Sequence, residues 1–419
     1  MKASIAVFLL FLLCLATSVI GKEVKKRSLR WITKDTALSY LTTDMSNIEE
    51  FKNLLRPLVV ERVSGTAANR AVQEYIKSLL SNWHWHIEVD RFNDTTPLGI
   101  KEFTNIIATY DPSKPVKVVL ACHFDSKYFA RGKFVAATDS AVPCAILLET
   151  AKQLQCLLEK GPKEKSSGSD LTLQLLFLDG EEAFIDWTHT DSLYGARHLA
   201  QRWAVEPDPA NSTLKRINTT REFILLDLIG TRDTVIPQQF QNTAELYDNL
   251  VKAEQLLRSK GYLTGKHPGP IFNGQKGWGG IEDDHVPFLK RGVGVVHLIS
   301  SPFPGVWHQL SDDWDHLDFN LIEDFNRIFR LFISNLLHLQ PENRGCRKNK
   351  KRHHRGLKRT AMKSVVPKRG GRNRPVRRWK QDIKDTLHMR MHQAEKLAKG
   401  QETLQKVLVT PIFNKGRVL

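Results

Sequence analysis

The chain has 419 residues, a length that accommodates two domains. Its formal charge of +17 is not shared out evenly: residues 342–419 carry 24 Lys and Arg against 5 Asp and Glu, a net of +19, and the rest has a net of −2. A uniformly basic surface is thereby excluded, and the excess belongs to a C-terminal extension.

Residues 1–21 read as a secretory signal. Met1-Lys2 is a short basic start, residues 3–20 are an almost unbroken apolar run, and Thr17, Ser18 and Gly21 precede Lys22. The run is close to the roughly 20 residues a spanning helix needs, so an uncleaved secretory-pathway membrane anchor is the alternative. Lys22, Lys25, Lys26 and Arg27 follow it, against Lys2 alone before it, which disfavours an anchor with a lumenal domain. Secretion agrees with Asn-X-Ser/Thr sequons at Asn93, Asn211 and Asn218, candidates for glycosylation. Four cysteines lie beyond the signal, Cys122, Cys144, Cys156 and Cys346, and they allow three pairings. Cys156 reads as an inert core cysteine on a helix, and Cys346 as a free or intermolecular thiol.

A single domain spanning 36–340 has the cadence of an α/β fold. Apolar, β-branched runs at 105–110, 116–122, 171–178, 223–229 and 293–299 suit strands covered on both faces. Helical patterns lie between and after them, at 71–80, 145–158, 192–203, 244–257 and 321–337. In the last, Leu321, Phe325, Ile328, Phe332 and Leu336 fall on one stripe. This alternation predicts a mixed, mostly parallel central sheet flanked by helices. The segment 342–419 is basic, with Pro367 and Pro375 among few apolar residues, and is expected to be disordered apart from a short helix at 394–408. It reads as a solvated extension or as a weak binder of polyanions. Nucleic-acid binding is not expected of an exported chain whose tail has Trp379 as its only aromatic platform of note.

Acidic and histidine motifs recur where these strands end: His123-Phe124-Asp125, Asp139, Asp179-Gly180-Glu181-Glu182, Asp227, Asp283-Asp284-His285 and Trp307-His308. Zinc takes imidazole nitrogen and carboxylate oxygen in tetrahedral shells, and catalytic sites keep one position open. Ligands of open α/β sheets bind outside the carboxyl ends of strands, where these motifs would meet. Each motif alone has a plainer reading. Asp139-Ser140 suits a helix cap, Asp179–Glu182 an acidic turn, and Asp283-Asp284 the acidic first turn of a helix. Trp187, Phe303 and Trp307 read by themselves as core aromatics. His285 and His297 read either as hydrogen bonders behind a ligand shell or as buried structural histidines. The joint order of the motifs favours a site.

At "ACHFDSK", "ATDSAVPCA", "FLDGEEAF", "DSLYGARHLA", "LLDLIG", "EDDHVPFL" and "SPFPGVWH", the chain closely resembles the glutaminyl-peptide cyclotransferases of the animal secretory type, which have a zinc-exopeptidase-like fold. The likeness runs from about Arg56 to Leu339 and leaves the basic tail outside. It implies cyclisation of N-terminal glutamine, and more slowly glutamate, of peptides to pyroglutamate with release of ammonia, by a monomer holding one zinc. It implies Asp139, Glu182 and His308 as zinc ligands, Glu181 as proton shuttle, and Asp227 and Asp283 as an acidic pair by the substrate amine. Trp187, Phe303 and Trp307 would line the pocket, and Cys122 and Cys144 would form a disulfide. The loop 128–136 is short, and Glu282 stands where some relatives have a neutral Gln. The alternative is a di-zinc aminopeptidase of the same fold, with His123, Asp139, Glu182, Asp227 and His308 building two positions that share Asp139. A secreted binding protein on an inactive scaffold is disfavoured by the intact Glu181 and ligand set.

Overall fold

The computed structural model describes residues 29–162, 170–277, 279–342 and 345–346. The expected signal and the tail beyond Cys346, with its helix at 394–408, lie outside them. The chain divides after Lys351, and all the described residues belong to the first unit.

Six strands form the central sheet: β1 (His86–Thr96), β2 (Gly99–Thr109), β3 (Val116–His123), β4 (Leu171–Leu178), β5 (Thr220–Asp227) and β6 (Gly294–Ile299). Their spatial order is β1-β2-β4-β3-β5-β6. The pairs β1–β2 and β2–β4 are antiparallel, and β4–β3, β3–β5 and β5–β6 are parallel. Five strands match the apolar runs read in the sequence. The exception is β1, whose His86-Ile87-Glu88-Val89-Asp90-Arg91 run mixes charge with apolar residues because it is the sheet's edge. An exposed edge is protected from further pairing by such side chains.

Successive residues of β3 serve opposite cores, as a period of two requires. Val118, Leu120 and Cys122 pack into one cluster, Val119 and Ala121 into the other. The larger cluster lies beneath α1 (Ala67–Asn82), α2 (Val142–Lys160), α4 (Ala244–Ser259) and α5 (Phe319–Leu336), and the smaller beneath α3 (Tyr194–Val205). Local chemistry sets the helix ends. Thr66 caps α1 by accepting from Asn69 N, and the Asp318 carboxylate caps α5 by accepting from Asn320 N and Leu321 N. Pro143 stands in the first turn of α2, and Gly161 (φ +64°) terminates that helix. A buried arginine ties the layers together. Arg330, on α5, pairs with Glu149 of α2 and donates to Leu41 O at 2.7 Å.

The cysteines depart from expectation. The disulfide joins Cys156 to Cys346, whose Cα atoms are 5.7 Å apart, so neither is the inert or free thiol their contexts suggested. Cys122 and Cys144, the pair implied by the resemblance, are buried free thiols. The Cys144 thiol donates instead to His123 O at 3.1 Å, and burial pushes the Cys122 thiol well up, holding it neutral. Chain composition grouped Cys346 with the basic tail. The fold holds this segment against the domain, with Arg30 donating to Leu339 O at 2.7 Å and pairing with Glu342 at 3.2 Å. Among the described residues, no helix is long and apolar enough to cross a membrane.

Candidate functional site

The parallel registers bring strand ends to one edge. His123 is paired with Leu178 across β3–β4, and Asp227 with Ile299 across β5–β6. From that edge open the segments carrying Asp139, Glu181-Glu182, Asp283 and His308. With Trp187, Asp227, Glu282, Phe303 and Trp307 they line one pocket of about 380 Å³. Every catalytic, metal and substrate-binding residue implied by the resemblance thus lies in a single cavity, whereas His123, the further ligand of the two-zinc alternative, is not among its lining residues. The aromatic trio is not core: Trp187 and Trp307 are 40% and 38% exposed, and Phe303 is half-buried.

Three carboxylate or imidazole atoms, from Asp139, Glu182 and His308, lie within 4.8 Å of one another. His308 Nε2 is 3.5 Å from Asp139 Oδ2 and 3.4 Å from Glu182 Oε1, and that buried Glu182 oxygen makes no well-formed hydrogen bond. Burial first, and then the Glu182 carboxylate, pushes Asp139 up to about 7. Two buried carboxylates repel unless a cation lies between them, so the donor set fits a zinc ion. Burial opposes ionisation of Glu182 too, yet His308 and the Lys127 ammonium (3.4 Å) hold it below the usual carboxylate range.

Backbone geometry presents these atoms. Asp139 and Ser140 break helical geometry (φ −118° and −132°) just before α2, so Asp139 is not the helix cap its sequence suggested. His308 and Leu228 take left-handed φ of 52°, rare for residues with a Cβ and concentrated at functional sites. Gly180 (φ +73°) lets the chain turn directly after β4. A Cβ there would meet the Phe103 ring at 2.4 Å, so the Glu181-Glu182 pair needs glycine before it. The short loop 128–136 packs behind His308: Phe134 lies edge-on to that imidazole at 6.2 Å, and Phe129 against Phe134 at 4.8 Å.

Behind the pocket wall, Asp125 accepts from Glu181 N (3.2 Å) and Glu182 N (3.3 Å), fixing both glutamates. Arg62, fully buried, donates to Phe124 O (2.6 Å), Val135 O (2.5 Å) and Ala136 O (2.9 Å), clamping the segments that deliver Asp125 and Asp139. Asp191 accepts from Phe184 N, Ile185 N and Asp186 N at 2.9 to 3.2 Å and shapes the approach to Trp187. Burial would raise Asp191, but these hydrogen bonds hold it low. Arg62 carried no signal in the sequence, because an arginine reads as surface. Asp191 lay within a quoted motif, "DSLYGARHLA", without a role.

The second acidic group lies deeper. Burial raises Glu181 well above the ordinary range, with Glu182, Asp283 and Asp284 reinforcing the rise and His123 opposing it. Asp227 is raised by burial and by Asp283, and accepts the Ser140 hydroxyl. Asp283 behaves oppositely. Despite burial it is held low by His297, whose Nε2 lies 2.7 Å from Asp283 Oδ2. Neighbouring His285 lies 4.4 Å from His297 between ring centroids, with the rings tilted by 41°, and is pushed by burial down to about 3. His123, Asp139 and Asp227 form a further group able to hold a metal, sharing Asp139 with the first. His123 Nε2 is 3.0 Å from Asp139 Oδ1 and 3.5 Å from Asp227 Oδ1. The sequons are elsewhere: Asn93 and Asn218 are exposed, and Asn211 is half-buried.

Residues 105–333 match peptidase family M28. The chain is 42% identical over 319 residues to glutaminyl-peptide cyclotransferase of Bos taurus, covering 74% of this chain and 86% of the relative. Its fold superposes on the crystal structure of Macrostomum lignano glutaminyl cyclase with a TM-score of 0.70 and 37% identity, covering 75% of this chain and 96% of that one. A leucine aminopeptidase precursor from Bacteroides thetaiotaomicron shares the fold at a TM-score of 0.54 and 22% identity, covering 73% of this chain and 99% of that one.

Proposed function

This chain belongs to the glutaminyl-peptide cyclotransferase family, and we propose that it acts through one zinc held by Asp139, Glu182 and His308. It is an enzyme that cyclises the N-terminal glutamine of peptides to pyroglutamate with release of ammonia. The observation that carries the assignment of roles is the single pocket lined at once by the three candidate ligands, by Glu181, Asp227 and Asp283, and by three aromatics.

When bound, zinc supplies Lewis-acid polarisation of the substrate γ-carbonyl. The protein's part is to hold the peptide's own α-amine against that carbon. Asp227 and Asp283 grip the amine, and Trp187, Phe303 and Trp307 wall the side chain into a folded, near-attack shape. As the amine nitrogen bonds to the side-chain carboxamide carbon, Cδ, Glu181 takes its proton and returns it to the departing amide nitrogen, whose bond to Cδ breaks as it leaves as ammonia. A carboxylate raised by burial is suited to both steps, since it binds the amine proton more firmly than an exposed one and can then hand it on. Glutamate would react by the same route with loss of water, and more slowly because its ionised side-chain carboxylate is a poor electrophile until it is protonated.

A di-zinc aminopeptidase is the second reading, favoured by the group His123, Asp139 and Asp227. Against it, the Asp227 oxygen that faces His123, Oδ1, accepts the Ser140 hydroxyl. The deciding experiment incubates the purified protein with a Gln-initiated peptide and follows ammonia. Release with about one zinc per chain supports the proposal. Hydrolysis of unblocked N-termini without ammonia, with two zincs lost together on changing His123, moves the assignment to aminopeptidase. Glu181→Gln should keep the metal and lose turnover, and near-full activity would remove Glu181 from its role. The proposal extends to a secreted, glycosylated monomer that acts on peptides and not on nucleic acid, with a polyanion-binding basic tail.

A further inference from the structure

We infer that Glu282 makes the enzyme selective for glutaminyl peptides whose second residue is cationic, a reading that rests on the cyclase assignment above. Six carboxylates line the pocket, from Asp139, Glu181, Glu182, Asp227, Glu282 and Asp283, and no lysine or arginine does. Five of them are buried and are the ligand-set pair, the proton shuttle Glu181 and the amine-site pair. Glu282 alone is exposed. It is nonetheless held in place, because the Trp187 indole Nε1 donates to its Oε2 at 3.1 Å. Among the described residues no cation is ion-paired with it, whereas Lys127, the cation nearest the metal group, is engaged by Glu182 and Ala183 O (3.2 Å). Arg131 and Lys133 are exposed in the loop 128–136 but do not line the pocket.

Chain geometry decides which substrate residue meets this carboxylate. In the assigned pose the α-amine lies by Asp283. The second residue's Cα follows the first at 3.8 Å, the fixed step of a trans peptide, and leads outward. Glu282 immediately precedes Asp283 and marks the open end of the same wall. A lysine or arginine at position two would therefore reach Glu282 with its charge, and lay its stem on the exposed faces of Trp187 and Trp307, where cations and methylenes both bind well. An acidic residue there meets a fixed like charge. Exposed pairs of this kind are modest and screened by salt, so the preference for Gln-Lys over Gln-Glu should be about five- to tenfold in kcat/KM at low ionic strength.

The test measures kcat/KM for Gln-Lys, Gln-Ala and Gln-Glu peptides of otherwise equal sequence, at low and high salt, for the wild type and for Glu282→Gln and Glu282→Lys. Glutamine keeps an acceptor for the Trp187 indole, so the wall is preserved. The expected result is a Lys:Glu ratio of about five to ten in the wild type that falls towards one in high salt, approaches one in Glu282→Gln and inverts in Glu282→Lys. A wild-type ratio near one, or a ratio unchanged in both variants, overturns the inference, and the salt series decides the matter even if a variant fails to fold. Failure of the wild type to release ammonia from Gln-Ala would instead sink the cyclase assignment.

Discussion

Replacing Cys346 by serine should destabilise the protein substantially without slowing its chemistry. The disulfide closes a loop between residues 190 apart, joining α2 to the segment that follows α5. Cross-linking removes conformational entropy from the unfolded chain, and for a loop of this size the chain-entropy relation gives about 5 kcal/mol as an upper figure. At roughly 2 °C per kcal/mol for a domain of this size, Tm should fall by about 10 °C. The pocket lining includes neither cysteine, so kcat on a Gln-initiated peptide should stay within about twofold at a temperature where both proteins are folded. Thermal melts of wild type, Cys156→Ser, Cys346→Ser and the double variant provide the assay. All three variants should shift alike, because each removes the same bridge and the effects cannot add. Peptide mapping of the unreduced protein should recover Cys122 and Cys144 as alkylated thiols. A Tm shift below about 2 °C, a double variant twice as unstable as either single one, or a mapped Cys122–Cys144 link would refute the reasoning.

Asp125→Ala should cut kcat by about ten- to a hundredfold with zinc content retained, since it leaves Glu181 N and Glu182 N without their charged acceptor; unchanged kcat would show that these bonds do not position the glutamates. His285 carries a pH prediction. Its folded pKa of about 3 lies below the ordinary 6.5, so the unfolded chain binds the extra proton between these values, and stability should be lost as pH falls through this window, by up to about 1.4 kcal/mol per unit. Denaturant melts of His285→Asn should show a shallower fall over the same window, and an identical slope would contradict the assignment. A chain ending after Lys351 keeps Cys346 and should retain activity on short peptides while losing salt-sensitive binding to heparin-like polyanions; equal binding by the long and short forms would dismiss the role proposed for the basic segment.

Much of the fold was legible because its central strands are buried on both faces. Near-continuous apolar runs such as Val116–His123 and Leu171–Leu178 have few other uses, and turn-forming acidic motifs directly after them mark the edge where a site opens. The ordered spacing of Asp139, Glu181-Glu182, Asp227 and Asp283 was likewise readable, since each stands at or just beyond a strand end or an entry to a helix, whereas His308 lies in the long loop between β6 and α5. Strand β1 was not, because an edge strand faces water and takes the charged composition of a loop.

What the sequence by itself determined, then, was the cadence of the sheet, the kinds of ligand it presents and their order along the chain. Tertiary structure alone decided the partnerships that cross that order. It put Cys346 on α2 and left Cys122 and Cys144 as thiols, because pairing depends on the approach of segments 190 residues apart and not on the flanking motifs. It buried Arg62 among backbone carbonyls and exposed Trp187 and Trp307 around the pocket, against the ordinary preferences of all three residues. It also joined Trp187 to Glu282 across 95 positions. Hydrophobic period is a local property that one strand or helix reveals on its own, whereas the neighbours of a polar side chain are chosen only when the elements pack.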